Sequence, residues 1–177
     1  MTGKEHVLTH SLENLENIQV MTVAPLYWRY DGVTSTGKRK EFEIMKCKHT
    51  IEYFHKWHET VPAADGFPAQ GIDHVFVQQG CYERWGMYGH SDDLMRFCLL
   101  AWAACEAPFQ VDCDNGAPYG DDVVFLANDW MVGMVPLIIT SHYRRYGCYK
   151  NARTIFDIHN MGYCGTCSWK CMLISAA

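Results

Sequence analysis

Short β-branched runs alternate along this chain with segments whose apolar residues recur every three or four positions. The run 18–24, IQVMTVA, is closed by Pro25 and predicts a buried strand. Ahead of it, Val7, Leu8, Leu12, Leu15 and Ile18 stand at helical spacing and predict a helix over 6–17. Residues 27–40 carry the turn signals Asp31-Gly32 and Thr36-Gly37 and read as loop. Residues 41–47 and 50–55 alternate in polarity and predict a hairpin. Prolines and glycines make 61–71 a loop, and IDHVFVQ over 72–78 is the next strand. Residues 80–90, rich in aromatics and glycine, read as irregular.

The strongest helix is predicted over 91–106, where Leu94, Phe97, Cys98, Trp102 and Cys105 share one face. Ser91 is placed to cap it, Asp92 and Asp93 complement its dipole, and Ala107-Pro108 should stop it. Residues 109–113 form a short strand or a connection. A strand over 123–127, a helix from about 130 to 143, a turn through Gly147 and a strand over 154–158 complete the pattern. The order is a βαβ series, so the expected class is α/β with a parallel sheet and right-handed crossovers. No internal repeat or domain boundary is visible.

The last two strands carry the candidate chemistry. The first ends in Asn128-Asp129-Trp130 and the second in His159-Asn160. As parallel neighbours they would deliver these residues at their carboxyl ends, the edge where open α/β sheets bind ligands. Asp129 is either a helix cap or a carboxylate that grips sugar hydroxyls and steadies positive charge. His159 and Asn160 supply donors and acceptors suited to a polyhydroxylated ligand, or are satisfied within the fold. Tyr163 and Gly165 lie in a tight loop that either brings backbone close to a ligand or simply turns.

Composition narrows the class. The chain has 177 residues, enough for one domain with a sizeable core. It is 49% hydrophobic and 20% charged, which is globular rather than disordered. A net charge of -5 gives no basic footprint for nucleic acid, and Gly37-Lys38-Arg39-Lys40 reads as a solvated loop or hairpin tip. No apolar stretch approaches the roughly 20 residues of a membrane span, and the longest, 131–140, contains Pro136. MTGKEHVLTH shows no secretory signal. Of nine cysteines, Cys98 and Cys105 read as core. Cys164, Cys167 and Cys171 suggest a thiolate metal site, but no second CxxC completes it, so free thiols in a reducing compartment are the expectation. GxSxG, HExxH, Walker A and paired-carboxylate patterns do not occur.

Several strings are more specific. They are Arg96-Phe97-x-Leu99-Leu100 followed by Ala103-Ala104-Cys105-Glu106-Ala107-Pro108, Pro118-Tyr119-Gly120-Asp121-Asp122-Val123-Val124-Phe125, Asn128-Asp129-Trp130, Tyr146-Gly147-x-Tyr149-Lys150 and Ile158-His159-Asn160. Upstream, Val20-Met21-Thr22-Val23-Ala24-Pro25, Phe54-His55 and Ile72-Asp73-His74-Val75-Phe76-Val77 keep the same order. Together they resemble the starch and glycogen synthases of glycosyltransferase family 5, and most the plant and algal starch synthases. The likeness runs from about Gln19 to Gly165.

The resemblance implies a Rossmann-like parallel sheet forming the N-terminal half of a GT-B enzyme, whose active site lies in the cleft between two such domains. Residues 1–165 would be a partial N-terminal catalytic domain and 166–177 a divergent tail, with the C-terminal donor-binding domain lacking. The implied reaction moves glucose from ADP-glucose, or UDP-glucose, to the non-reducing end of an α-1,4-glucan with retention. No metal or other cofactor is implied. Asp129 and His159 would be catalytic at the glucosyl site with Asn128 beside them. Asn160, Tyr163 and Gly165 would shape the acceptor side. The implied partners are the glucan, the sugar nucleotide and other starch-synthesis enzymes, with neither nucleic acid nor membrane. The implied compartment is the plastid, with the cytosol as alternative.

Three departures stand against this pattern. Met131 replaces the family's His after Asn-Asp-Trp, Cys164 replaces a Gln, and only Thr2-Gly3 remains of the donor-phosphate loop. They keep a second reading open, an inactive remnant that binds glucan or a synthase partner.

Overall fold

Two sheets flank one long helix in the computed structural model, which describes residues 18–63, 69–114 and 116–160. The predicted helix over 6–17, Tyr163, Gly165 and the tail cysteines lie outside these residues. The larger sheet contains β1 (Val20–Pro25), β2 (Thr34–Ile44), β3 (Cys47–Val61) and β4 (Gln70–Gln78) in the order β1-β4-β3-β2. β1 and β4 are parallel, whereas β2, β3 and β4 pair antiparallel. Helix α1 spans Asp93–Gln110. A second, two-stranded sheet pairs β5 (Val124–Asn128) with β6 (Arg153–Asp157) in parallel. The α/β class and the parallel pairs agree with the sequence reading. The hairpin makes the larger sheet mixed rather than wholly parallel.

Helix α1 is apolar nearly all round because it is covered on two sides. Cys98, Leu99 and Ala103 pack against Ile51, Tyr53, Val75 and Val77 of the larger sheet. Ala101 and Cys105 pack against Ala127, Ile139, Tyr143 and Tyr149 on the other side. Three buried tyrosines fasten it through main-chain carbonyls. Tyr53 donates to Ala103 O at 2.9 Å, Tyr82 to Arg96 O at 2.7 Å and Tyr149 to Cys105 O at 2.6 Å. The buried Asp73 of β4 accepts from His55 Nε2 at 2.7 Å, Tyr119 Oη at 3.0 Å and Asp114 N at 3.1 Å, which ties the chain after α1 back to the sheet.

The fold differs from the sequence reading at five places, each with a local cause. The helix runs through Pro108 to Gln110, so residues 109–113 begin as helix and are not a strand. Pro108 and Ala107 are buried, and the tyrosine anchors hold the turn whose Ala104 carbonyl loses its proline partner. Ser91 does not cap α1; Asp92 stands at the N-cap, and its carboxylate is held by Arg84 at 2.6 and 3.1 Å. Much of the expected loop 27–40 is β2, because Thr36-Gly37 is a bulge rather than a turn.

The basic run therefore lies in a strand, where Lys38 meets Asp112, Arg39 meets Glu52 and Lys40 meets Glu106. The hairpin tip is Met45-Lys46, both with left-handed φ of 53° and 65°. The expected helix over 130–143 is broken into a 3₁₀ turn at Trp130–Val132, the short α2 at Val135–Ile138, a π turn at Ile139–Tyr143 and a 3₁₀ turn at Arg144–Tyr146. Gly133 falls at the break between the first 3₁₀ turn and α2, and Pro136, in the first turn of α2, has no N–H to donate back across that break. No helix among the described residues is long and apolar enough to cross a membrane.

Candidate functional site

β5 and β6 end level with each other. Their register sets Ala127 beside Phe156 and Asn128 beside Asp157. Ala127 and Phe125 turn toward the core, which leaves the flanking polar residues at the strand ends free to face outward. The ladder continues one step beyond the strands, with Asp129 N donating to Asp157 O at 2.7 Å.

Asp129 then makes an abrupt change of direction. Its φ is 64° and its ψ 179°, a backbone region occupied almost only by glycine. Its carboxylate accepts the Trp130 N–H at 2.9 Å and so caps the first 3₁₀ turn. The capping expectation for Asp129 therefore holds, at the cost of a strained backbone. Such strain persists only where the surroundings impose it, and it clusters at sites of function.

Across the sheet end, His159 Nε2 lies 3.2 Å from Asn128 Oδ1 and 3.7 Å from Asp157 Oδ2. A proton on Nε2 would suit both of these oxygen acceptors. The imidazole is 57% exposed and the Asp157 carboxylate 51% exposed, so the group is open to a ligand. Asn160 follows on the exposed side. Asn128, Asp129, Asp157 and His159 thus meet at one strand edge, and Tyr163 and Gly165 fall outside the described residues.

Two members of this site were missed. Asp157 sat within an apolar run, and only the register with Asn128 brings it to the edge. Tyr88 belongs to the stretch read simply as irregular. Its ring lies 6.3 Å from Trp130, and Trp130 stands edge-on to Phe97 at 5.0 Å. Nothing local marks Tyr88; its place depends on a contact between distant segments. Met131 is half-buried beside Trp130 and offers no hydrogen-bond donor.

The chemistry available is therefore two carboxylates, an amide and an imidazole at one exposed edge. They can orient several hydroxyls at once, and the carboxylates can stabilise a centre that becomes positive. Among the described residues no group of three or more His, Cys, Asp or Glu side chains is arranged to hold a metal ion.

Comparison with known proteins gives a consistent picture. Residues 6–176 match the family model described as starch synthase catalytic domain. The chain is 35% identical over 164 residues to granule-bound starch synthase 1, chloroplastic/amyloplastic, of Pisum sativum, a match covering 83% of this chain and 25% of that protein. It is 46% identical over 153 residues to soluble starch synthase 1, chloroplastic/amyloplastic, of Solanum tuberosum, covering 83% and 23%. A solved structure of the catalytic domain of starch synthase IV from Arabidopsis thaliana, bound to ADP and acarbose, matches with a TM-score of 0.61 at 20% identity. That match covers 88% of this chain and 29% of the other. The chain spans about a quarter of the length of the curated relatives it matches.

Proposed function

The chain belongs to the starch synthase catalytic domain family, and on that premise we propose that its β5–β6 edge handles the glucosyl group in the elongation of an α-1,4-glucan. The donor is ADP-glucose, with UDP-glucose as the alternative. The observation that carries this reading is the convergence of Asn128, Asp129, Asp157 and His159 on one exposed strand edge.

In the proposed reaction the bond between the donor's anomeric carbon and its phosphate oxygen breaks. A bond forms from that carbon to the 4-hydroxyl oxygen of the glucan's non-reducing end. The hydroxyl proton leaves with the nucleoside diphosphate, and configuration is retained. The anomeric carbon passes through a state with positive character, and Asp129 and Asp157 supply fixed negative charge near it. His159, held at Nε2 by Asn128, offers its other ring nitrogen, Nδ1, to a hydroxyl of the transferred sugar and fixes its orientation. Asn128 and Asn160 bind further hydroxyls, while Tyr163 and Gly165 shape the acceptor side. Charge facing the departing phosphates comes from the donor-binding half of the complete enzyme. No metal or other cofactor enters the scheme.

The names of the relatives place them in chloroplasts and amyloplasts, which supports a plastid location. Association with other starch-synthesis enzymes fits the same setting. Met131 favours a second reading in which the chain binds glucan without transferring glucose. The test is label transfer from ADP-glucose and from UDP-glucose to maltooligosaccharide, by the protein isolated from its cells and by its Asp129→Asn form. Transfer that falls at least a hundredfold in the variant supports the first reading. Sedimentation with amylopectin without any transfer supports the second.

A further inference from the structure

Away from the β5–β6 edge, residues 26–30 and 83–85 bound a cleft of about 910 Å³ at the carboxyl ends of β1 and β4. None of Asn128, Asp129, Asp157 or His159 lines it. Its walls are unusual for their aromatic exposure. Trp85 is 85% exposed and Trp28 61%, and large apolar surface left in water in this way marks a binding surface. The two indoles meet edge to face at 6.5 Å with an interplanar angle of 72°, so they present two faces nearly at right angles. Tyr30 stacks on Phe76 at 5.4 Å and extends the wall. Aromatics already pinned against each other lose little freedom when a ligand arrives.

The polar lining says what kind of ligand fits. The cleft carries Arg29 and Arg84 against Glu52 and Glu83, so its ionised groups balance. Arg84 is engaged with Asp92, Glu52 with Arg39 and Glu83 with Gln78. A set with no net charge, three of its four groups already held by partners, selects against a phosphate or a strongly charged peptide. It retains free lone pairs and N–H groups for hydroxyls. Flat aromatic faces beside planar, bidentate hydrogen-bonding groups suit a saccharide, whose rings have apolar C–H faces and hydroxyl edges. The volume is at the upper end of the roughly 300–1,000 Å³ of ligand pockets, so it takes several sugar units rather than one.

We propose that this cleft is a second glucan-binding site, separate from the glucosyl edge, which holds a run of an α-1,4-glucan on Trp28, Tyr30 and Trp85. The choice of glucan as the saccharide rests on the function proposed above. The cleft keeps a long chain on the protein between transfers. Tyr88, three residues beyond Trp85 in the chain, packs against Trp130 next to Asp129.

The test is binding of maltoheptaose and retention on amylopectin, read by calorimetry, indole fluorescence and light scattering. The purified protein is compared with Trp28→Ala, Trp85→Ala and Trp85→Phe. Both side chains are largely in water, so the fold survives, and circular dichroism checks this. The proposal expects at least tenfold weaker maltoheptaose binding in each alanine form, rescue by Trp85→Phe, and an indole fluorescence change in the parent protein. Equal binding by parent and alanine forms overturns it. So does absence of maltoheptaose binding by the parent protein. Loss of a larger assembly in the alanine forms without loss of glucan binding overturns it in favour of a protein interface. His159→Ala separates the two sites. Transfer lost with maltoheptaose binding kept supports a site apart from the chemistry, and a parent that binds through the tryptophans yet transfers nothing sinks only the catalytic reading.

Discussion

Replacing Asp129 by glycine should stabilise the fold relative to alanine while abolishing glucosyl transfer. The backbone there, at φ 64° and ψ 179°, stores about 1–3 kcal/mol in any residue with a Cβ. Glycine releases it, and at an N-cap glycine is only a few tenths of a kcal/mol worse than aspartate. Its greater freedom in the unfolded chain takes back about 0.5–1 kcal/mol. Alanine keeps the strain and also loses the carboxylate that accepts Trp130 N–H at 2.9 Å, a cap worth about 0.5–2 kcal/mol. The glycine form should therefore exceed the alanine form by about 1–3 kcal/mol. In a chain of 177 residues that is a gap of several degrees in Tm, at about 2–4 °C per kcal/mol. Urea unfolding with equal slopes and thermal melts of the two variants read the difference directly. An alanine form as stable as the glycine form would refute the claim that this edge is strained. A glycine form that keeps full turnover would remove Asp129 from the chemistry.

Three further outcomes follow from the same geometry. At Gly71 a Cβ would overlap the His58 carbonyl oxygen and lie 2.5 Å from Trp57 Cζ2, both in β3. Gly71→Ala should therefore cost at least about 2 kcal/mol in urea unfolding, and a neutral result would contradict the β3–β4 register. Burial pushes the Glu106 carboxyl up, but the hydrogen bonds from Tyr143, Lys40 and Gln110 and the Lys40 charge outweigh it and hold its pKa below the usual range. Its contribution is thus complete above the unfolded value of about 4.3 and is lost as pH falls through the folded value. Glu106→Gln should flatten stability against pH on the acid side only. Burial raises the Cys81 thiol to about 11 and the Cys113 thiol to about 12, whereas Cys47 is exposed. Iodoacetamide at neutral pH, followed by peptide mapping, should label Cys47 before Cys81 and Cys113 and leave those two unmodified until the protein unfolds.

The parts of the fold written in local pattern were legible. Each apolar run that ended in a polar residue became a strand end, and 123–127 and 154–158 each differ from β5 and β6 by one position at either end. The meeting of Asp129 and His159 at one edge followed from the βαβ order alone. What escaped depends on contacts between distant residues. Pro108 is a helix stopper by local rules, yet Tyr53 and Tyr149, far away in sequence, anchor the turn around it. Thr36-Gly37 carries a turn signature, but pairing with β3 converts it to a bulge. Asp157 and Tyr88 join the site through register and ring packing, neither of which has a local signature. The aromatic cleft was hidden for the same reason, since Trp28 and Trp85 are far apart in the chain and only the fold makes them neighbours.

Whether the β5–β6 edge handles the glucosyl group is decided by one comparison. The protein as its cells make it, and its His159→Ala form, are given ADP-glucose labelled in the sugar together with a maltooligosaccharide. Turnover that falls at least a hundredfold in the variant, with maltoheptaose binding unchanged, is the predicted result. Equal turnover by the two forms would contradict it.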